Sequence, residues 1–294
     1  MDLGRIGIWS RAFAHGDRGR AREAAAELEQ LGYGTLWLGG SPGLNPRGDL
    51  VTTAELLAAT DRTVVAPACV SIWHQPASEL AATYHALPTD HRARLLLGLG
   101  VSHPQFEQRY QRPYTALRGY LDALDGSTRP LPKGVRFLGA HGPHMTRLAA
   151  ARCAGVHPHL TVPAHTAAAR TLLGNGPLLA PSVSVVRAAS PSEARTRARA
   201  ALAPYLAQPN YANSWLRCGF SADDLSARGS DRLIDALFTW GTPERVGERA
   251  AARIAEHLAA GADHVAVQVV TDELHAFPLT EWRTLAAELL PSRA

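Results

Sequence analysis

The residues best suited to chemistry lie where an apolar segment of the chain ends. Residues 95–100 are apolar apart from two glycines, and Ser102 and His103 follow them. An unbroken apolar run of this kind is typical of a parallel strand covered on both faces. Gly98 and Gly100 would let a flat ligand approach the backbone closely, and the hydroxyl and imidazole could exchange hydrogen bonds or a proton with that ligand. Close packing inside a barrel is the alternative explanation of the glycines.

A second candidate site is the turn at residues 139–142. Its small residues Ala140 and Gly142 flank His141, and Pro143 then opens a helical segment. Free backbone N–H groups and the positive end of a helix dipole would suit a phosphate group. An ordinary strand-to-helix turn with proline at the helix start fits the same residues.

Other motifs exclude several classes of site. Four histidines cluster in the sequence, but no carboxylate or cysteine accompanies them at ligand spacing, so no metal site is predicted; they are His141, His144, His157 and His159. The three cysteines are far apart and are expected to be buried thiols. Dinucleotide-binding, P-loop and serine-hydrolase motifs do not occur.

Composition sets the protein class. A chain of 294 residues with 46% hydrophobic residues can bury a large core, and we expect one domain over residues 1–294. The net charge of +4 comes almost wholly from dispersed arginines, without a basic run interleaved with aromatic residues, so a nucleic-acid partner is not expected. No secretion signal or membrane-spanning segment is recognised, which predicts a cytoplasmic protein without a membrane partner.

The elements that would position these residues alternate along the chain. Helical segments separate predicted strands, which lie at residues 5–10, 35–38, 64–72, 95–100, 135–138, 155–160, 178–186 and 264–270. This order predicts an α/β fold, a (β/α)8 TIM barrel whose chemistry lies at the carboxyl ends of the strands. The long connection between strands seven and eight predicts a helical excursion, about residues 207–242, over the barrel mouth.

Several segments together carry a family resemblance that covers nearly the whole chain. They are residues 4–9, 24–37, 97–103, 138–145, 155–158, 209–213, 240–241 and 261–265. In this order they resemble the luciferase-like monooxygenase superfamily, and within it the actinobacterial oxidoreductases that use the deazaflavin coenzyme F420. The resemblance implies a bacterial luciferase-like barrel that holds an isoalloxazine-type ring.

The resemblance also implies roles for particular residues. A bulge with a non-proline cis peptide would lie behind the ring at Val70, Ser71 and Ile72. The ring would lie beside Gly100, Val101 and Ser102, and the cofactor phosphate would bind at Ala140, His141 and Gly142. A small-molecule substrate would contact aromatic and amide side chains, namely Trp9, Trp73, Asn210, Tyr211, Asn213 and Trp215.

The proton donor is the open part of this interpretation. Many deazaflavin-dependent members carry an acidic residue or histidine at the end of strand two, where this chain has Gly39 and Gly40. His74 and His103 are the candidate replacements. An FMN-dependent monooxygenase with a partner reductase is the second interpretation, and a non-catalytic flavin-binding barrel is the third. A homodimer is expected from the resemblance alone.

Overall fold

The structure is a computed structural model that describes residues 1–40, 45–273 and 275–290. The glycine, proline and asparagine residues between positions 39 and 46 predict a loop, and four of its positions, 41–44, lie outside the described residues. The strands are β1 Ile6–Ser10, β2 Thr35–Leu38, β3 Val64–Pro67, β4 Val70–Ser71, β5 Leu97–Gly100, β6 Arg136–Leu138, β7 Gly155–Val156, β8 Leu178–Leu179, β9 Ser182–Arg187, β10 Phe238–Gly241 and β11 Val265–Val269.

Helices separate most of these strands. Those of the first half of the chain are α1 Ala12–His15, α2 Arg18–Leu31, α3 Asp49–Ala58, α4 Ala77–Ala86, α5 Thr89–Ala93 and α6 Pro113–Asp125. Those of the second half are α7 Pro143–Arg152, α8 Pro163–Leu173, α9 Pro191–Leu206, α10 Pro209–Arg217, α11 Ala222–Leu225, α12 Asp231–Leu237, α13 Val246–Ala259 and α14 Leu279–Leu289.

The ends of helix α2 show how local sequence sets these bounds. The Asp17 carboxylate accepts a hydrogen bond of 2.8 Å from the backbone N–H of Arg20, which caps the first turn. The helix ends at Gly32, whose φ of 105° is a left-handed conformation that glycine adopts without steric cost. Strand β2 follows three residues later, so this helix is placed directly against the barrel wall.

The strands form two parallel sheets that together make the barrel. In the described part of the chain, one sheet has the order β10-β9-β11-β1-β2-β3 and the other β4-β5-β6-β7-β8. The chain passes between the sheets from β3 to β4 and from β8 to β9. Backbone hydrogen bonds bridge both junctions: Val65 N–H donates to Arg94 O, and Asp263 N–H donates to Leu179 O, each at 2.9 Å. The predicted (β/α)8 barrel is confirmed.

The third barrel strand differs in detail from its prediction. It is broken into β3 and β4, and the non-proline cis peptide lies in the break, between Ala68 and Cys69. The expected position at Val70, Ser71 and Ile72 was therefore wrong by two residues. The reason is pairing: Val70 and Ser71 pair in parallel register with β5, which leaves the two residues before them as the irregular segment.

The excursion also contains an element that helical patterning did not predict. Helices α10, α11 and α12 lie inside the predicted range of 207–242, but the range ends in strand β10. This strand pairs in parallel with β9, with Phe238 opposite Ser184. It therefore extends the barrel wall at its rim and ties the excursion to the seventh barrel strand. The assignment of the whole chain to one domain stays a prediction.

Aromatic residues fill the barrel interior in two layers. Trp9 of β1 and Trp37 of β2 are register partners. The His159 ring stacks on Trp9, with centroids 4.5 Å apart, and the His157 ring stacks on Trp37, with centroids 4.3 Å apart. Histidines two residues apart near the end of the sixth barrel strand thus face tryptophans from the first two strands across the barrel.

Candidate functional site

A small cavity lies at the carboxyl ends of the barrel strands. Its volume is about 90 Å³, and the cis-linked Ala68 and Cys69 form part of its wall. Eight residues of the predicted site line it, namely Trp9, Gly100, Val101, Ser102, His103, His141, Asn210 and Tyr211. The barrel therefore brings together residues from seven regions of the chain, and we call this space the inner cavity.

A larger space adjoins it. This outer cavity has a volume of about 400 Å³ and shares three lining residues with the inner one, Trp9, His159 and Tyr205. Most of its remaining wall comes from helix α9 and from the end of strand β11 with the residues that follow it, and the end of β1, Leu160, Phe238 and Ala276 complete it. A volume of this size is within the usual range for small-molecule pockets, roughly 300 to 1,000 Å³.

Four residues that line the inner cavity each carry a buried polar atom for which the described residues provide no hydrogen-bond partner. These atoms are Ser102 Oγ, His141 Nδ1, His157 Nε2 and His159 Nε2. Buried polar atoms are normally paired, because leaving one unpaired costs free energy. Their convergence on one cavity indicates a polar ligand. Ser102 also has a φ of 56°, uncommon for a residue with a side chain, just past the end of β5.

The protonation state of His157 follows from its surroundings. Its Nδ1 lies 2.6 Å from Ala180 O, and a carbonyl oxygen only accepts, so Nδ1 carries the hydrogen. Burial lowers the pKa of His157 to about 3, which keeps the ring neutral at pH 7. His157 Nε2 is therefore an acceptor, on a residue that lines the inner cavity, for which the described residues supply no donor.

His103 and His74, the two predicted proton carriers, lie in different places. His103 lines the inner cavity with its ring centroid 6.0 Å from that of Tyr211, and burial lowers its pKa. His74 is not among the lining residues. Its Nε2 lies 2.9 Å from a carboxylate oxygen of Glu107, which also accepts a 3.0 Å hydrogen bond from Ser71 Oγ.

Glu107 is a residue that sequence reasoning missed. Its carboxylate is buried, and it joins the loop after strand β5 to the loop after strand β4 through Ser71 and His74. Nothing in its immediate sequence distinguishes it from an ordinary loop carboxylate, because its partners lie more than thirty residues away. It braces the segment that carries Ser102 and His103.

The structure places other predicted residues outside the inner cavity. Val70, Ser71 and Ile72 are buried beside it without being among its lining residues. The Trp73 indole N–H donates a hydrogen bond of 2.6 Å to Val101 O. The Trp215 indole is 1% exposed, and its N–H donates a hydrogen bond to Leu160 O. Both indoles therefore hold neighbouring backbone in place. Asn213 is exposed on helix α10.

The turn at residues 139–142 opens helix α7, as predicted. Gly139 and His141 line the inner cavity, and Ala140 is buried. Arg217, at the end of helix α10, lies beside this turn: its guanidinium donates to His141 O at 3.4 Å and would lie 4.0 Å from a Cβ atom on Gly142. The sequence offered no signal for this arginine, which adds a cation to the helix N-terminus.

Two further classes of feature are absent from the described part of the chain. Residues 1–40, 45–273 and 275–290 contain no group of three or more histidine, cysteine or acidic side chains placed to hold a metal ion. Among the same residues, none of the helices has the length and apolar character that a membrane crossing requires.

Solved structures with the same fold include three with stated activities. The coenzyme F420 dependent tetrahydromethanopterin reductase of Methanopyrus kandleri has a TM-score of 0.73 at 15% identity, with 99% of each chain covered. An F420-dependent secondary alcohol dehydrogenase, solved with an F420–acetone adduct, has a TM-score of 0.71 at 13% identity, again over 99% of each chain. At these identities the likeness shows the fold alone.

The third structure contains a different cofactor. The oxygenating constituent of 3,6-diketocamphane monooxygenase, from the CAM plasmid of Pseudomonas putida and solved with FMN, has a TM-score of 0.66 at 16% identity, with 97% of each chain covered. No protein of curated function matches the sequence significantly.

The sequence itself matches a family over most of its length. The family described as luciferase-like monooxygenase matches residues 4–264. The predicted family is confirmed, and with it the prediction that the protein belongs to a family of oxidoreductases. The chain is a member of the luciferase-like monooxygenase family.

Proposed function

We propose that this protein is an oxidoreductase that binds the deazaflavin coenzyme F420 at the inner cavity and moves hydride between it and a small organic substrate. The observation that carries the proposal is the set of four unpartnered buried polar atoms around one cavity at the carboxyl ends of the strands. Two F420-dependent enzymes share the fold. The cofactor supplies the hydride chemistry, and the protein binds and orients it.

The unpartnered hydrogen-bonding groups of Ser102 and His157 suit the polar edge of a deazaflavin or flavin ring. That edge carries both carbonyl acceptors and an N–H donor. The Ser102 hydroxyl can donate to a carbonyl, and His157 Nε2 can accept from the N–H group. Gly100 leaves room for a flat ring to approach the backbone. An inner cavity of about 90 Å³ is smaller than a three-ring ligand, so binding requires the cavity wall to open.

The phosphate of either cofactor would bind at the start of helix α7. Ala140, His141 and Gly142 provide backbone near the positive end of the helix dipole, and Arg217 provides a side-chain cation. Both kinds of cofactor carry such a phosphate, so this part of the site does not separate them.

His103 is the proton carrier in this proposal. It lines the inner cavity, whereas His74 is held by Glu107 outside the lining. Burial lowers the pKa of His103, which makes the neutral ring a proton acceptor at pH 7. His74 and Glu107 together then position the loop that carries His103.

FMN-dependent monooxygenation is the second candidate function. It is favoured by the FMN-containing structure of the same fold, and it would require O₂ and a partner reductase. A non-catalytic barrel is less well supported, because the missing acid at Gly39 has a steric explanation given below. The proposal includes the predicted cytoplasmic location and a homodimer, of which the homodimer rests on the family resemblance.

Titration of the purified protein with oxidised and reduced F420, and separately with FMN, tests the proposal by quenching of ligand and tryptophan fluorescence. We expect micromolar or tighter binding of F420 and weaker binding of FMN. The His157→Phe variant removes the acceptor and should weaken binding, whereas His144→Phe, on the exposed face of helix α7, should not. Tighter binding of FMN would replace the first function by the second, and binding of neither would overturn both.

A further inference from the structure

The outer cavity contains one cation without a counter-ion. Arg11 lines this cavity, and its guanidinium donates from Nη2 to the Tyr205 hydroxyl at 2.6 Å. Its Nε is buried and has no hydrogen-bond partner. Among the described residues, Arg11 forms no ion pair with a carboxylate. A partly buried guanidinium in this state has lost hydration without gaining an opposite charge, which costs free energy.

The other charged groups of the outer cavity neutralise one another. Arg197 pairs with Asp272 at 3.0 Å and with Glu193 at 3.3 Å, and it also donates to Arg187 O. Both Arg197 and Asp272 line the outer cavity. The lining therefore has one uncompensated positive charge, that of Arg11, and an anionic ligand would compensate it.

The rest of the wall is uncharged, and more than half of its residues are apolar. Leu160, Ala200, Ala201, Phe238, Val269 and Val270 contribute to it. A ligand that fits both the charge and the wall has one anionic group and an apolar body. The volume of about 400 Å³ accommodates a small molecule of this kind.

We propose that the outer cavity binds an organic carboxylate, with the carboxylate at Arg11 and the apolar body against the wall toward Trp9 and His159. This inference rests on the proposed function in one respect: it takes the acid to be the substrate of that oxidoreductase. Because Trp9, His159 and Tyr205 line both cavities, a ligand in the outer cavity lies next to the cofactor space. A planar guanidinium is well matched to a carboxylate, which it can bind through two parallel hydrogen bonds.

The test compares acids with their uncharged amides. The probes are cyclohexanecarboxylate and octanoate, each paired with its primary amide, and dissociation constants are measured by calorimetry or ligand-observed NMR. We expect the wild type to prefer each acid by about tenfold or more, as one charge-assisted hydrogen bond suggests. Arg11→Gln should abolish the preference, Arg11→Lys should retain part of it, and Thr196→Ala, a control that leaves the charges of the same wall unchanged, should retain it.

Separate titrations with F420 and FMN distinguish the sources of the anion. Arg11→Gln should leave cofactor affinity within about twofold. Equal binding of acid and amide to the wild type, or a preference that survives in Arg11→Gln, would overturn the inference. If Arg11→Gln instead weakens cofactor binding tenfold and no acid preference exists, the anion at Arg11 belongs to the cofactor and the inference is wrong. A wild type that prefers the acids but binds neither cofactor would sustain the carboxylate site while the proposed function fails.

Discussion

A Cβ atom placed on Gly39 would lie 2.5 Å from Cε2 of the Trp9 indole. Trp9 is 3% exposed and stacks on His159, so the indole could move away only by giving up this stack. The position at which the resemblance implies an acidic residue or histidine is thus adjacent to a large aromatic ring. The glycine therefore makes room for Trp9.

Replacement of Gly39 by alanine should therefore destabilise the protein. We expect the free energy of unfolding to fall by about 1 to 3 kcal/mol, the usual cost of overpacking a core. Urea denaturation measures this change. The matched control is Gly119→Ala in the middle of helix α6, where a Cβ atom would meet nothing within 4 Å and helix propensity predicts a gain of about 1 kcal/mol. A Gly39→Ala variant as stable as the wild type would contradict the steric explanation.

Glu107 should matter more for stability than His74. Glu107→Ala removes a buried carboxylate and leaves Ser71 Oγ without its acceptor, which should cost about 1 to 3 kcal/mol. His74→Ala should cost less, because its imidazole is 46% exposed and Ser71 keeps its partner. Thermal and urea unfolding of both variants measure which of them loses more stability. The reverse order would mean that Glu107 does not brace the loop after β5.

Replacement of His103 should affect turnover rather than stability or binding. With a substrate identified, we expect His103→Ala to lower the turnover number by about 100-fold or more, as loss of a proton carrier usually does. Fluorescence titration should show cofactor affinity within about threefold of the wild type. His74→Ala, measured in parallel, should lower turnover only as far as it loosens the loop. Unchanged turnover in His103→Ala would exclude the assigned role.

Buried neutral histidines should make stability depend on pH. Burial lowers the pKa of His157 to about 3, and those of His257 and His264 to about 4. Their ordinary value is 6.5, so below pH 6.5 the unfolded chain binds protons that the folded protein does not. Stability is then fully present above pH 6.5 and falls as pH falls toward 4.

The expected loss is large enough to measure. Each of these three histidines contributes up to about 2 kcal/mol of lost stability between pH 6.5 and pH 5. Urea denaturation at pH 7.5, 6.5 and 5.0 tests this, and His257→Gln, remote from both cavities on helix α13, should flatten the profile. A free energy of unfolding that stays constant from pH 7.5 to 5.0 would show that these rings are not held neutral.

Local patterning determined the fold and part of the site. Apolar runs bounded by glycine, and helices ended by residues such as Gly32, predicted the order of the barrel because strand and helix periods are properties of neighbouring residues. Ser102, His103 and His141 were found for the same reason, since they follow predicted strands at the edge where a barrel places its chemistry.

Tertiary structure alone decided which distant residues meet. The Arg11–Tyr205 hydrogen bond joins residues 194 positions apart, and Arg217 reaches His141 across 76 positions. Closure of the barrel and the path of the excursion set such contacts, and no local period encodes them. The stack of His159 on Trp9 likewise depends on two strands that face each other across the barrel. The sequence thus placed the strand ends, and packing determined which side chains share a cavity, because burial and charge compensation are properties of the assembled surface.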